Sequence, residues 1–247
     1  MLRKVGESAW PISEKDAVVS IKDASYPIPF PQGLEFNSPA HGCWNIVHTG
    51  MLIPEAHQIY VCADNCMRGV VLTAAEMCEE DRFSFVIVEE QNILNGNLED
   101  ITIEGVTDVL KKRDDHPKAV LLFTVCLHHF VGSNLDYIYS ELEKRFPDIC
   151  FIRCYMDPIM QKHGLTPDQK LRKAMYDPLI ECKPDDKTVS VLGSDFALDE
   201  SSDIKRLLKK YNYRIFESPK CKNWQDMMEM SKGKLFINCY PAGKYGM

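Results

Sequence analysis

Apolar positions along this chain fall into short continuous runs separated by stretches with a helical rhythm, and the two alternate. FSFVIVEE, Phe83 to Glu90, is an apolar run of the buried-strand type; a turn signal, NGN, and a helical stretch from Leu98 to Lys112 follow it. AVLLFTV, Ala119 to Val125, is the next strand, NLDYIYSELEKRF a helix and CFIRCY a third strand. A helix is expected from Thr166 to Ile180, because TPDQ supplies a capping residue and puts Pro167 in the first turn. Upstream, Met67 to Met77 carries good helix formers and an apolar face, with Asp64 or Asn65 as N-cap. Residues 1 to about 40 lack periodicity and hold Pro11, Pro27, Pro29, Pro31 and Pro39, which reads as an irregular arm.

Strands that alternate with helices imply βαβ units, whose crossovers require a parallel sheet covered on both faces. Residues 41–182 are read as one α/β domain, and the polar, proline-bearing KPDDK at Lys183 to Lys187 as a linker. A second α/β unit, 187–247, follows: TVSVLGS, YRIF and KLFIN as strands, SSDIKRLLKKYN and WQDMMEM as helices. With three strands that second sheet is incomplete. Gly193 alone does not make the glycine fingerprint of a dinucleotide fold.

Composition narrows the function classes. Of 247 residues, 45% are hydrophobic and 26% charged, which fits a folded globular protein and excludes a disordered one. A net charge of -7, with no basic stripe, argues against nucleic acid or an anionic membrane as the main partner. The N-terminus lacks the apolar core of a signal peptide, and no apolar run approaches the roughly 18 residues of a membrane span, so the expected location is the cytoplasm.

Ten cysteines are many for such a chain. In a reducing compartment they divide between packing residues and thiolates that bind metal or do redox work. Cys150, Cys154 and Cys239 lie in apolar runs and are expected to pack in strand cores; Cys78, Cys182 and Cys221 carry no spacing signal. Cys126 follows AVLLFTV directly, at the carboxyl end of a strand, where ligands of open parallel sheets bind. Cys66 opens the Met67 helix, where free backbone N–H groups favour a thiolate, and Cys43 sits in the glycine-flanked loop AHGCWN. Cys62 and Cys66 have three intervening residues, not the two of a thioredoxin-type redox pair. Three thiols, each at the end of an element, suit an iron–sulfur cluster whose fourth ligand comes from elsewhere; unrelated buried cysteines are the plain alternative.

HGCWNIVHTGMLIPEAHQIYVCADNC resembles the stretch of the nitrogenase component 1 family that runs from a Gly-Cys loop to a second cysteine in a His-Gly-x-x-Gly-Cys turn. Cys43 then matches the first position and Cys66 the second. TVCLHHFVGSNLDYI is similar to the family's third segment and places Cys126 at the third position. The resemblance spans roughly residues 40 to 240 and is strongest toward the nitrogenase-like members. The turn Val-Cys-Ala-Asp-Asn-Cys departs from the family by lacking His-Gly-Pro and by adding Cys62 as a rival ligand. Family members have three α/β domains, so this chain, ending inside the second, reads as truncated or as a fragment.

The resemblance implies Rossmann-like parallel sheets flanked by helices. It also implies an oxidoreductase component binding an iron–sulfur cluster, of the four-iron four-sulfur kind in first expectation, through Cys43, Cys66 and Cys126, with Cys62 as understudy. It further implies a homo- or hetero-oligomer that shares the cluster, fed by an ATP-dependent iron–sulfur reductase. Two other classes stand beside it: a scaffold on which a metallocluster is assembled, and a non-catalytic α/β binding module whose cysteines only pack. Among neighbouring polar residues, His128 and His129 could tune or ligate a cluster or simply bond to backbone, and Arg68 could supply positive charge or make a surface ion pair. His48 and His57 show no ligand spacing. Glu89 and Glu90 could contact substrate or cap a helix, and Asp157 is a candidate lining residue at the end of the third strand.

Overall fold

The computed structural model describes Ser20, Lys22 and residues 46–157, 164–239 and 241–247. Cys43 and the proline-bearing arm lie outside the described residues.

The first sheet is built from β1 (Ala56–Cys62), β2 (Phe83–Ile87), β3 (Ala119–Val125) and β4 (Cys150–Met156), all parallel, in the order β2-β1-β3-β4. β1 is central although its sequence, AHQIYVC, is not a continuous apolar run. All seven of its residues are buried, and Gln58, Tyr60 and one ring nitrogen of His57 find partners within the fold. Gln58 donates to the Val47 carbonyl at 3.3 Å and accepts from the Tyr60 hydroxyl at 2.8 Å, while His57 lies 2.8 Å from the Ser84 hydroxyl. Tyr60 also stacks on Phe123 with ring centroids 4.3 Å apart.

Helices cover both faces, as the βαβ pattern requires. α2 (Arg68–Glu76) joins β1 to β2 and buries Val70 and Ala74 in one apolar cluster with Tyr60, Cys62, Phe123 and Cys154. α4 (Leu98–Lys112) and α6 (Leu135–Arg145) pack on the opposite face, against Ile59, Val61, Val120 and Leu122. The chain therefore leaves β1 for one face and β3 for the other, so the topological switch point falls between them, and the crevice outside their carboxyl ends is where such sheets bind ligands.

The second sheet, in the order β6-β5-β7, holds β5 (Asp185–Leu192), β6 (Arg214–Glu217) and β7 (Gly233–Asn238), again parallel. β5 starts inside the stretch read as a linker, because the Asp185 carboxylate accepts from the Lys187 N–H and the Thr188 hydroxyl and orders the strand's first turn. The apolar cluster on the Tyr60 face continues to this sheet through Leu192 of β5 and through Met227 and Met230 in the helical segment between β6 and β7. Its own switch point is shut by backbone. Gly193 follows β5 at φ +83°, and a Cβ there would lie 2.7 Å from the Gly243 Cα.

α7 (Pro167–Ala174) has the predicted Thr166–Gln169 capping box but ends six residues earlier than expected, ahead of the turn before Pro178. Cys154 packs in the core as expected, and Cys150 is half-buried. Cys239 is exposed, contrary to expectation, because β7 stops at Asn238 and Cys239 falls beyond the sheet.

Candidate functional site

Two of the sequence-predicted cysteines follow the strands that flank the switch point. Val61 of β1 pairs with Thr124 of β3, so the two strands run out side by side. After β1, residues Asp64–Cys66 form a 3-10 turn in which the Cys66 N–H bonds to the Ala63 carbonyl at 2.9 Å. Cys66 therefore sits on the approach to α2, exposed, and not in the helix's first turn. After β3, α5 (Cys126–Phe130) begins at once, and Cys126 is its first residue, half-buried. Burial pushes the Cys126 thiol above its ordinary pKa, and the neighbouring Cys66 and Asp157 push it further. Alone, they favour the protonated state at Cys126, which argues against a free nucleophile; a bound cation would reverse that balance.

Cys62 is placed differently. It is the last residue of β1 and points into the Tyr60 core with no exposed surface. Burial, with Cys66 and Asp64 adding to it, pushes its thiol up to about 12.

His128 is fixed by the fold. Its Nδ1 accepts the Val125 N–H at 3.3 Å, and its Nε2 lies 3.2 Å from the Thr102 hydroxyl. That hydroxyl already donates to the Leu98 carbonyl, so Nε2 carries the proton and gives it to Thr102. Both ring nitrogens are engaged, and burial lowers the His128 pKa to about 4. His128 ties β3 to α4 and has no lone pair left for a metal. Glu89 stands at the N-cap of α3 (Glu90–Leu94), where its N–H donates to Asn92, so it fills the helix-capping role.

Beside Cys126, a cavity of about 200 Å³ opens at the carboxyl ends of β3 and β4. Among the described residues, Thr124, His128, His129, Ser133, Tyr155 and Asp157 are part of its lining. Asp157, anticipated from its position at a strand end, is 4% exposed. Ser133 was not anticipated; a serine in a loop gives no sequence signal, and only the fold shows its hydroxyl buried and without a partner.

Two thiols are a partial fit to an iron–sulfur cluster. Among the described residues no group of three or more His, Cys, Asp and Glu side chains is arranged to hold a metal ion, and a third cysteine donor would come from Cys43 or another chain. No helix of the described residues is long and apolar enough to cross a membrane.

The fold is of a parallel α/β architecture also found in nitrogenase chains. Two solved structures carry it: nitrogenase Cp1 at pH 5, with TM-score 0.59 and 13% identity over 89% of this chain, and nitrogenase Cp1 at pH 6.5, with TM-score 0.55 and 11% identity over 78%. This chain spans 48% and 40% of the length of those chains. At such identities the likeness is one of fold. No protein-family model and no curated protein matches the chain.

Proposed function

We propose that this chain is a nitrogenase-like oxidoreductase component that holds an iron–sulfur cluster at the carboxyl edge of its first sheet and relays electrons from an ATP-dependent iron–sulfur reductase to a substrate. What supports the reading is that Cys66 and Cys126, distant in sequence, each follow one of the two strands, β1 and β3, that flank the switch point of the first sheet. Cys66, Cys126 and Cys43 are the thiolates that would hold the cluster. When bound, it would supply one-electron transfer at a potential set by burial and hydrogen bonding around the sulfurs. Three ligands from one chain leave a position for a partner chain, which fits an oligomer.

The chain's own residues have separable roles in this reading. Cys66, exposed, is the entry ligand. Cys126 must lose a proton that burial holds on it, so metal uptake releases protons and weakens in acid. Cys62 packs beneath the site, and His128 holds the start of α5 in place. An assembly scaffold would use the same thiols without turnover. A module whose cysteines only pack is the plain alternative, and Cys62 and Cys154, both fully buried, do pack in the core.

Iron and sulfide quantitation on protein purified without oxygen tests the reading. Brown protein is expected, with metal lost in Cys43→Ala, Cys66→Ala and Cys126→Ala and retained in Cys62→Ala. Colourless protein free of iron from iron-replete cells would overturn it, and ATP-dependent reduction by a cognate reductase would separate turnover from scaffolding.

A further inference from the structure

One helix of the second sheet buries a lysine and turns an apolar stripe outward. α8 (Asp203–Lys210) buries Lys205 and Leu208. The Lys205 ammonium lies 2.8 Å from the carboxylate of Glu217 at the end of β6, 2.9 Å from Glu200 and 2.8 Å from the Leu198 carbonyl. Glu217 is itself buried and accepts the Leu198 N–H at 2.7 Å, so this anchor fixes how α8 is rotated about its axis. In that setting Ile204, Leu207 and Tyr211, spaced i, i+3 and i+7, are 36, 54 and 57% exposed and form one stripe. An ordinary surface helix keeps such a stripe for the core and its lysines for water. Asp203 and Lys210, both exposed, flank the stripe along one side, because about 100° of turn per residue carries them to nearly the same bearing, one before Leu207 and one after it.

We propose that this stripe pairs two copies of the chain, α8 against α8 of the partner, antiparallel about a twofold axis level with Leu207. Such an axis keeps each flank on its own side while exchanging the helix ends. It sets Leu207 on the partner's Leu207, Ile204 beside the partner's Tyr211, and Asp203 beside the partner's Lys210, twice over. A parallel pairing would instead set Asp203 on Asp203 and Lys210 on Lys210, and would align the helix dipoles unfavourably. The acidic start, apolar middle and basic end of α8 thus complement the same helix reversed, which singles out a second copy over a uniformly acidic or basic partner. Asp203 also lies 3.0 Å from Arg206, and Lys210 lies 5.9 Å from the Tyr211 ring; both contacts are at the exposed surface, where they are weak enough to yield. One short helix on another covers less than the roughly 1,200 Å² of a stable complex, so the pair is a weak one that forms at about 100 μM chain and above. The surface belongs to the second sheet and needs no metal, so it goes beyond the electron-transfer reading and does not rest on it.

Sedimentation of the metal-free 247-residue chain, over a concentration series reaching about 1 mM, is the test. A monomer–dimer equilibrium is expected for the unaltered chain and none for Leu207→Asp, with urea midpoints showing that the variant folds. Asp203→Lys and Lys210→Asp should each weaken self-association about tenfold or more, because each sets like charges together in both contacts. Mixed in equal amounts, these two single variants should dimerise again, since one then offers lysine at both positions and the other aspartate at both. A chain that stays monomeric throughout, a dimer unaffected by Leu207→Asp, or a mixture no more associated than its components would overturn the antiparallel pairing. Each result is read without iron, so it stands or falls apart from the cluster.

Discussion

The Arg172 guanidinium grips the Asp168 carboxylate with its Nε 3.1 Å from both oxygens, one helical turn apart on α7, and both side chains are almost wholly buried. The remaining donors of Arg172 reach the Gly193 carbonyl at 2.9 Å and Asp195 at 2.7 Å, beyond the end of β5, while Thr49 of α1 (Ile46–Met51) donates to Asp168 at 3.0 Å. Arg172, ion-paired both to Asp168 on its own helix and to Asp195, thus joins the helical layer of the first sheet to the carboxyl edge of the second. Burial opposes the charge on Arg172, but Asp168 and Asp195 outweigh it and hold its pKa above the ordinary arginine value.

Breaking this pair from one side strands a charge in the core. Arg172→Met is expected to lower unfolding free energy by about 3–5 kcal/mol in urea titrations, because Asp168 keeps its burial and loses its partner. Arg172→Met combined with Asp168→Leu should be less destabilised than Arg172→Met alone, since no uncompensated carboxylate remains on α7. Equal losses in the single and double variants would mean that the pair is not what joins the two layers.

Acid should weaken the fold well above the usual carboxylate range. Burial, reinforced by Arg113, lowers the His57 pKa to about 4, and burial lowers that of His128 to about 4. The unfolded chain takes up protons at these rings as pH falls through about 6.5, while the native chain refuses them. Their contribution is therefore complete above that pH and is lost as pH falls to about 4, on the order of 3 kcal/mol for each ring. Urea midpoints measured from pH 7 to 4.5 should fall steadily, and His128→Gln should flatten the slope; a midpoint constant across that range would contradict the placement of both rings.

How much of this was legible beforehand depended on whether polar side chains found partners inside. β3 and α4 fall where their apolar rhythm puts them, because nothing polar interrupts AVLLFTV and the apolar face of α4 is periodic. β1 was hidden. His57 and Gln58 break its apolar run, and only the tertiary contacts to Ser84, Val47 and Tyr60 make a central strand of it. α7 announced its start through Thr166 and Pro167, but its sequence reads as a polar surface helix; its position between two sheets is what buries Asp168 and Arg172. Cys126 and Asp157 could be placed from strand ends, and Cys66 was read into the first turn of a helix that it only precedes, whereas Ser133 could not be placed, since its burial depends on how the α5–α6 loop folds over the cavity.

Thiol labelling of metal-free native protein should separate the two members of the Cys-Ala-Asp-Asn-Cys turn. Cys66 is exposed, whereas Cys62 is fully buried with its thiol pushed up to about 12. Iodoacetamide followed by peptide mass spectrometry is expected to modify Cys66, Cys78 and Cys239 early. Cys62 and Cys154 should remain protected by several orders of magnitude in rate until the chain unfolds, because attack needs an accessible thiolate. Early modification of Cys62 would remove it from the core and restore it as a competitor to Cys66.

The last test concerns how closely α4 approaches the sheet. A Cβ at Gly105 would lie 2.4 Å from Val86 Cγ1 and 2.9 Å from Cγ2, so the helix can sit this close to β2 only while position 105 carries no side chain. Replacing a mid-helix glycine by alanine ordinarily stabilises by about 1 kcal/mol. Here overpacking against β2 is expected to outweigh that gain and leave Gly105→Ala destabilised by about 1–2 kcal/mol. Val86→Ala alone should cost about 2–3 kcal/mol through the lost burial and the space left behind. In the double variant the new methyl enters the space that Val86 vacates, so the combined loss should fall short of the sum of the two single losses by about 1 kcal/mol or more in urea unfolding. Strict additivity would place α4 farther from β2 than these contacts do, and with it the α4 side of the wall, where Thr102 bonds to His128.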